Sequence, residues 1–517
     1  MENIKILWVD DEIDLLKPHI IFLESKGYIL DTVNNGTDAI DMVQNDSFDL
    51  IFLDENMPGL SGLETLFQIK NIHPSLPIIM ITKSEEEYIM DEAIGSKIAD
   101  YLIKPVNPRQ IQMAVKKITE KQRLVSEKTT SNYQAEFSKL GVLINNAQTH
   151  NDWINIFKKL TYWELELEQD GGHQMDEVLK MQKNEANNNF ARFIKQNYIK
   201  WFNPNAEDKP LISPNVFNNT VFPLLKNNQK VVTLVIDNLR FDQWKVIEPL
   251  LTQHYKVTTE DIFCSILPTA TQFARNAMFA GLMPADIEKL HPELWVNEDE
   301  EGGKNQFEEE LLEKQLSRLG INTSLYYNKI TNLEKGRKLV SNMSDILNHQ
   351  LSVIVVNFVD MLSHARTEME MIKELADNES SYRSITLSWF EHSTLFELLK
   401  LLASKNVKIV ITTDHGTIRV NNPVKVTGDK NTSSNLRYKH GKLLNYNTKK
   451  VFEVHNPKDI HLPQLNLSSS YIFTYNDDFF AYPNNFNHYV SYYKNTFQHG
   501  GISMEEMLIP LITLEPK

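Results

Sequence analysis

Cysteine is almost absent from this sequence, since Cys264 is the only one in 517 residues. A single thiol cannot form a disulfide within the chain, and such usage is typical of a reducing compartment. No apolar run approaches the roughly 20 residues that a membrane helix needs, so we expect no membrane insertion. The opening residues, MENIKILWVDDE, show no basic region followed by an apolar stretch. We therefore expect no signal peptide and a cytoplasmic protein.

Positive charge is also in deficit, because 53 Lys and Arg residues face 68 Asp and Glu residues and give a net charge of −15. A surface with this balance repels phosphate backbones, which argues against broad, non-specific DNA binding but leaves room for a local positive pocket. With 41% hydrophobic residues, the chain has enough apolar side chains for sizeable cores. Its length predicts about two to four domains.

The first 120 residues alternate between apolar runs and helical patterns. Four strands are indicated by the runs at residues 4–9, 48–53, 78–81 and 100–103, with helical patterns such as residues 14–26 and 62–73 between them. This alternation is typical of a doubly wound parallel sheet. Because the carboxyl ends of such strands share one edge, we expect polar residues at the strand ends to meet there.

Three carboxylates and an ammonium group are expected at that edge. Asp10 and Asp11 follow the first strand, and Asp54 follows the second. Crowded carboxylates are neutralised by a hard divalent cation such as Mg²⁺, and an ionised Asp54 beside it can attack a phosphoryl group. Lys104, after the fourth strand, adds a positive charge, and Thr82, after the third, is placed to sense a new phosphate through its hydroxyl group.

The motifs DD, LDENMPGLSG, IMITKSE and DYLIKPV occur in this order, and residues 1–120 resemble the receiver domain of two-component response regulators. The resemblance implies that Asp54 is the phosphoacceptor, that Tyr101 is a switch aromatic and that a sensor histidine kinase is a partner. It also implies a magnesium site at Asp10, Asp11, Asp54 and the backbone carbonyl of Asn56.

Residues 121–205 are predicted to form a helical bundle that acts as a spacer or a dimer platform. Apolar residues recur at helical spacing over residues 110–127, 153–167 and 175–202. Helix-turn-helix DNA binding is the alternative, but the Lys and Arg residues are scattered among acids and form no stripe. The aromatic residues are interpreted as core: Trp153, Phe157, Tyr162, Trp163, Phe190, Phe193, Tyr198, Trp201 and Phe202.

Three apolar strands are predicted in the last domain, residues 206–517, and each is followed by an aspartate. The runs at residues 231–236, 352–359 and 407–413 lead to Asp237, Asp360 and Asp414, with His364 and His415 close behind the last two. Buried like charges need a compensating cation, and Asp with His is a donor set typical of zinc. Two such clusters predict two metal ions that clamp a phosphoryl displacement.

A nucleophile is expected in residues 265–284, which are predicted to be a loop followed by a helix. The Thr271 hydroxyl would lie near the amino end of that helix, where anions are favoured, although Thr there is also an ordinary cap. The sequence QHGG places His499 beside two glycines, which permit a close backbone approach to a site.

The motifs VIDNLR, PTATQFARNAMFAG, VVNFVDMLSHAR, ITTDHG and QHGGIS span most of residues 230–510. Together they resemble the alkaline phosphatase superfamily in its PglZ-type branch. The resemblance implies an α/β domain with one zinc ion held by Asp360, His364 and His499. It implies a second zinc ion held by Asp237, Asp414 and His415, with Thr271 as the metal-bound nucleophile.

One position departs from that pattern. Phosphodiesterases of the superfamily often carry Asn three residues after the nucleophile, where this chain has Ala274. Arg275 or Asn276 would then contact the phosphate, since Arg is suited to bidentate anion recognition; the alternative is a solvated or capping role. The polar loop 431–442 carries Arg437, Tyr438 and Lys439, which either recognise substrate or form a solvated loop.

Over nearly the full length, the architecture resembles the PorX family of response regulators. That resemblance implies a link to type IX secretion, through secretion components or an extracytoplasmic-function sigma factor, and homodimer formation on phosphorylation.

Three functions are open: a phosphorylation-gated zinc phosphodiesterase with nucleotides or oligonucleotides as candidate substrates, an interaction-type regulator with little turnover, and a DNA-binding regulator. The complete set of site residues favours the first, and the acidic charge disfavours the third.

Overall fold

The structure is a computed structural model that describes residues 4–73, 76–83, 98–169, 175–203, 205–298, 300–368, 378–430, 432–464, 466 and 468–517, without the side chains of 119–127, 227 and 364–368. The chain divides into two compact units. Unit 1 consists mainly of residues 1–132, and unit 2 contains residues 133–169 and 173–517. In the described helices, no segment combines the length and the hydropathy that a membrane crossing requires.

Unit 1 is built on a parallel five-stranded sheet in the order β2-β1-β3-β4-β5. Its elements are β1 (Lys5–Val9), α1 (Lys17–Glu24), β2 (Ile29–Val33), α2 (Gly36–Asn45), β3 (Leu50–Asp54), α3 (Gly62–Ile72), β4 (Ile78–Thr82) and β5 (Asp100–Ile103). Alternate residues of β1 and β3 enter separate hydrophobic clusters on the two faces of the sheet, which confirms the doubly wound prediction. The four predicted strands are present, and β2 is the fifth. It lies at the edge of the sheet and is partly exposed along its length, so the sequence shows no continuous apolar run there.

The helical segment begins with a 39-residue helix, α4 (Pro108–Asn146), which starts in unit 1 and ends in unit 2. It is followed by α5 (His150–Gln169) and α6 (Asp176–Asn197). Buried residues of these helices, such as Trp153 and Phe190, belong to the same hydrophobic cluster as the strands of unit 2. The predicted aromatic core is therefore confirmed for most of its members, whereas Tyr162 is 53% exposed.

The remainder of unit 2 contains a six-stranded sheet in the order β7-β19-β10-β6-β9-β8 and smaller sheets formed by its other strands. The strands are β6 (Lys230–Ile236), β7 (Tyr255–Cys264), β8 (Leu325–Ile330), β9 (Leu351–Val356), β10 (Val407–Thr412), β11 (Ile418–Arg419), β12 (Asn422–Thr427), β13 (Tyr438–Gly441), β14 (Asn445–Tyr446), β15 (Phe452–Val454), β16 (Ser470–Phe473), β17 (Asp478–Ala481), β18 (Phe497–Gln498) and β19 (Leu508–Pro516). The helices are α7 (Phe241–Leu251), α8 (Thr271–Ala280), α9 (Pro284–Leu290), α10 (Glu308–Arg318), α11 (Leu333–Ser341), α12 (Met343–Asn348), α13 (Phe358–Glu368), α14 (Glu379–Glu391), α15 (Thr394–Ala403), α16 (Phe486–Tyr493) and α17 (Met504–Met507).

The three predicted apolar strands are the neighbours β10, β6 and β9, which run parallel to one another. One prediction was wrong in detail. The strand predicted to extend to residue 359 ends at Val356, and Asp360 lies in the first turn of α13. The apolar character continues past the strand because Val359 is buried in the helix, and continuous hydrophobicity does not distinguish a buried strand from a buried helical turn.

Candidate phosphoacceptor and metal sites

The carboxyl ends of the unit 1 strands bring the predicted receiver residues together. Asp54 ends β3, and Asp10 and Lys104 directly follow β1 and β5. The Lys104 Nζ atom lies 2.9 Å from Asp10 Oδ2 and 3.0 Å from Asp54 Oδ2. Carboxylate oxygens of Asp10, Asp11 and Asp54 lie within 4.8 Å of one another, so this edge can hold a cation.

The electrostatics of this edge favour a cation in addition to Lys104. Burial raises the pKa of Asp54, with a further increase from Asp10, and these effects outweigh the lowering by Lys104. Among the described residues, Asp54 Oδ1 is buried without a hydrogen-bond partner. Thr82 is buried at the end of β4, whereas Tyr101 on β5 is 40% exposed. The donor set of Asp10, Asp11 and Asp54 therefore fits Mg²⁺.

In unit 2, two adjacent parallel strands place two aspartates at one edge. Asp237 directly follows β6, and Asp414 comes two residues after β10. With His415 they form a fully buried group whose candidate ligand atoms lie within 4.8 Å of one another. His415 Nε2 is 4.0 Å from Asp237 Oδ1 and 3.6 Å from Asp414 Oδ2. This spacing suits a metal ion held by all three residues.

Thr271 is the first residue of α8, and Ala270 precedes it in an extended conformation. The Thr271 Oγ1 atom lies 3.0 Å from His415 Nε2, so the hydroxyl group reaches the buried group directly. Thr271 is itself only partly buried. A position at the amino end of a helix also stabilises negative charge on that oxygen. The Thr271 hydroxyl group therefore lies beside His415 at the amino end of α8, and its role as a nucleophile stays a prediction.

The second predicted ligand set lies beside the first. His499 Nε2 is 4.0 Å from Asp360 Oδ1, and the His499 ring stacks on the His415 ring at a centroid distance of 4.2 Å. His499 Nδ1 is 3.1 Å from the Thr269 carbonyl oxygen. Because a carbonyl oxygen only accepts, Nδ1 donates in this contact, which is the arrangement that directs Nε2 of a histidine towards a metal ion. His364 belongs to α13, but its side chain lies outside the described residues.

Burial and charge act differently on the two aspartates. Burial raises the pKa of Asp237 well above its usual range, although Arg275 opposes the shift. Burial also acts to raise the pKa of Asp414, but Arg275 and His415 lower that pKa to about 2. Among the described residues, Asp237 Oδ1 is buried without a hydrogen-bond partner. An unsatisfied carboxylate oxygen that faces the His415 imidazole at 4.0 Å is typical of a metal ligand.

The residues proposed to contact substrate all have partners within unit 2. Arg275 is fully buried against Asp237 and Asp414, as detailed below. Asn276 Nδ2 donates to the Lys304 carbonyl oxygen at 3.0 Å. The Tyr438 hydroxyl group donates to Glu298, and Lys439 Nζ donates to the Ser433 carbonyl oxygen at 2.8 Å. Burial lowers the pKa of Lys439 to about 8. A substrate role for these residues stays a prediction.

Arg437 supports the two turns that follow His415 and His499, a role that the sequence did not indicate. The fully buried Arg437 and Glu506 side chains form an ion pair, with Arg437 Nε 3.1 Å from Glu506 Oε1. Glu506 Oε1 also accepts from the Gly501 amide at 2.9 Å. The backbone carbonyl of Glu506 accepts from the Gly416 amide at 3.2 Å. One buried pair therefore contacts the turn after His499 and the turn after His415.

We expect Arg437→Met to lower the free energy of unfolding by about 3–5 kcal/mol, because it leaves the Glu506 carboxylate buried without its partner. Chemical denaturation followed by tryptophan fluorescence measures this loss. The control is Arg192→Met, which removes an exposed guanidinium group from α6 and should change stability by no more than about 0.5 kcal/mol. Equal stabilities of the two variants would contradict the bracing role.

Three family models match the chain. The response regulator receiver domain matches residues 6–116, and the PorX response regulator linker domain matches residues 123–202. The BREX system PglZ alkaline phosphatase-like domain matches residues 216–514, which is more than half of the 517 residues. These matches confirm the predicted combination of a receiver, a PorX-type linker and a PglZ-type domain.

Similar proteins of known name cover only part of the chain. The transcriptional regulatory protein ZraR of Klebsiella oxytoca is 32% identical over 151 residues, which are 28% of this chain and 34% of that protein. ResD of Bacillus subtilis is 38% identical over 112 residues, 22% of this chain and 46% of that protein. The chain thus spans less than half the length of these relatives. The solved structure of a two-component response regulator from Clostridium difficile is 32% identical, with a TM-score of 0.22, and the match covers 23% of this chain and 97% of that one.

Proposed function

The chain belongs to the BREX system PglZ alkaline phosphatase-like family, and on that premise we propose that it is a response regulator whose output domain is a zinc-dependent phosphodiesterase. The receiver domain and the PorX linker domain precede the phosphatase-like domain in the same chain. The observation that carries the proposal is the contact between Thr271 Oγ1 and His415 Nε2 inside a buried group of metal-ligand type.

The geometry of the first ligand set fits a zinc ion, and the second set has residue types that zinc accepts. Asp237, Asp414 and His415 would hold one, and Asp360, His499 and His364 would hold the other. Two oxygens and one nitrogen, or one oxygen and two nitrogens, are donor sets that zinc accepts, with a further position left for substrate or water. When bound, zinc supplies positive charge that stabilises a threonine alkoxide and a departing ester oxygen.

Thr271 is the residue that we propose to form the covalent bond. Its Oγ1 atom attacks phosphorus, its proton passes to solvent, and the bond from phosphorus to the leaving ester oxygen breaks. Water then attacks phosphorus and the bond from phosphorus to Oγ1 breaks. Oγ1 regains a proton from solvent, and the second product leaves with the oxygen of the water. The amino end of α8 contributes a fixed partial positive charge throughout. Nucleotides or oligonucleotides are the candidate substrates.

Hydrolysis of two chromogenic esters tests the proposal. We expect purified protein with added zinc to hydrolyse bis-p-nitrophenyl phosphate faster than p-nitrophenyl phosphate. Removal of zinc with a chelator should abolish turnover of the diester, and re-addition should restore it, because the ligand set then regains its cation. An equal rate of diester hydrolysis with and without the chelator would refute zinc dependence. A zinc-loaded protein that hydrolyses neither ester would favour the interaction-type regulator.

Control by phosphorylation is the second part of the proposal. The receiver domain implies a phosphodonor such as a histidine kinase, and we propose that phosphorylation of Asp54 promotes a homodimer in the cytoplasm. The match to the PorX linker domain supports a role in type IX secretion, through secretion components or an extracytoplasmic-function sigma factor.

The linker helices are joined to the phosphatase-like domain by partly buried and buried charges, which supports such control. Glu164 on α5 lies 2.7 Å from Lys183 on α6 and 3.0 Å from Arg383 on α14. Arg383 in turn lies 2.9 Å from Asp242 at the start of α7, five residues after Asp237. A displacement of α5 or α6 would therefore break ion pairs close to the proposed metal ligands. The loss of such a pair costs more free energy than the loss of an ion pair on the surface.

A further inference from the structure

Arg275 connects two of the proposed zinc ligands through one guanidinium group. It lies on α8, four residues and thus about one turn after Thr271. Its Nη2 atom contacts Asp237 Oδ2 and lies 3.1 Å from Asp414 Oδ2. Its Nε atom donates to the same Asp414 oxygen at 3.1 Å. The side chain is fully buried, so these contacts are shielded from water.

The other side of the guanidinium group is anchored by Glu308 on α10. Arg275 Nη1 donates to Glu308 Oε1 at 3.3 Å. Glu308 is itself buried and is held by Lys329 Nζ at 3.0 Å and by the Tyr327 hydroxyl group. Hydrogen bonds to Asp414 and Glu308 and an ion-pair contact with Asp237 fix the plane of the guanidinium group, which a flexible lysine could not match.

The formal charges of this cluster nearly cancel without a metal ion. Counted with all three acids ionised, Asp237, Asp414 and Glu308 carry three negative charges and Arg275 and Lys329 carry two positive charges, which leaves one net negative charge. Two buried carboxylates at this spacing are tolerated only with a cation between them. Arg275 supplies that cation permanently, because its guanidinium group does not lose its proton in a protein.

The same contacts decide which carboxylate oxygen is free. Asp237 uses Oδ2 for Arg275, and its buried Oδ1, which has no hydrogen-bond partner among the described residues, lies 4.0 Å from His415 Nε2. The carboxylate is therefore held in the rotamer that directs Oδ1 towards the imidazole. A metal ion bound between Oδ1 and His415 would find these atoms already in place.

We propose that Arg275 is a positioning residue that serves as the permanent cation of the metal centre. It holds Asp237 and Asp414 in their ligand geometry before a metal ion binds, and it takes no part in substrate contact. The part that concerns zinc rests on the proposed function. The part that concerns the metal-free protein rests on the buried contacts alone.

Thermal unfolding of metal-free and zinc-loaded protein tests the proposal. In the presence of a chelator, we expect Arg275→Met to lower Tm by about 5 °C or more relative to the wild type, because two buried carboxylates lose their cation. Zinc should restore most of that loss, since the ion then supplies the missing charge. Arg275→Lys keeps the charge but cannot contact Asp237, Asp414 and Glu308 from one planar group, and its Tm in chelator should lie between the other two.

The matched control is Glu308→Gln, which alters the same cluster but touches neither Asp237 nor Asp414. Its shift in Tm should be the same with zinc as with chelator. Equal losses for Arg275→Met with and without zinc would overturn the proposal, as would identical values for Arg275→Lys and Arg275→Met in chelator. An unchanged Tm in Arg275→Met, combined with a raised KM for the diester, would instead identify Arg275 as a substrate contact. If zinc does not shift the Tm of the wild type, the zinc proposal fails, and the loss in chelator still decides the role of Arg275.

Discussion

Thr271→Ala is expected to lose diester turnover by a factor of about 10⁴ or more, because the variant lacks the atom that bonds to phosphorus. The physical basis is the position of Oγ1, 3.0 Å from His415 Nε2 at the amino end of α8. Removal of a nucleophile abolishes the covalent route and leaves only slow attack by water. The measurement is kcat for bis-p-nitrophenyl phosphate in zinc-loaded wild type and variant.

Thr271→Ser is the matched control, since it keeps a hydroxyl group at the same first helical position. We expect it to retain measurable turnover, and we expect all three proteins to contain the same amount of zinc when metal content is determined directly. This pairing separates loss of the nucleophile from loss of the metal. Diester turnover in Thr271→Ala within tenfold of the wild type would exclude a threonine nucleophile, and a bound water molecule would then be the attacking group.

The second large effect concerns phosphorylation of the receiver domain. Asp54→Asn should accept no phosphoryl group from acetyl phosphate and Mg²⁺, whereas the wild type should be converted to a slower-migrating species on a phosphate-affinity gel. An amide is not a nucleophile at this centre, and it also removes one charge from the set that faces the proposed cation. Removal of Mg²⁺ with a chelator should abolish phosphorylation of the wild type for the same electrostatic reason.

Asp46→Asn is the control for this experiment, because Asp46 is an exposed carboxylate of the same unit and lies at the end of α2. It should be phosphorylated at the rate of the wild type. A gel shift that persists in Asp54→Asn would show that another residue accepts the phosphoryl group, and the assignment of this edge as the phosphoacceptor site would be wrong.

The sequence by itself determined which residues meet at the two sites. Asp10 and Asp54, and likewise Asp237 and Asp414, follow apolar strands that are adjacent and parallel in their sheets. Parallel strands end at one edge, so the order of strands and acids along the chain was enough to predict these groupings. Thr271 was predictable for a similar reason, because the boundary between a loop and a helix fixes where its hydroxyl group can point.

The hydrophobic pattern of the sequence predicted neither the edge strand β2 nor the boundary between β9 and α13. The partly exposed strand β2 carries no continuous apolar run, and the turn from β9 into α13 is apolar on both sides of the boundary. Sequence periodicity reports burial, and burial alone does not separate these cases.

Only the tertiary structure determined which partners the charged residues around the site contact. Arg275 could have faced a phosphate, and the fold instead places it against Asp237 and Asp414. Arg437 reaches Glu506 across 69 residues of sequence. Such pairings depend on how helices and loops pack over the sheet. A buried arginine needs a carboxylate partner, but the amino-acid sequence of the chain does not identify that partner. The strand order determined which aspartates meet, and the packing determined that Arg275 lies against two of them.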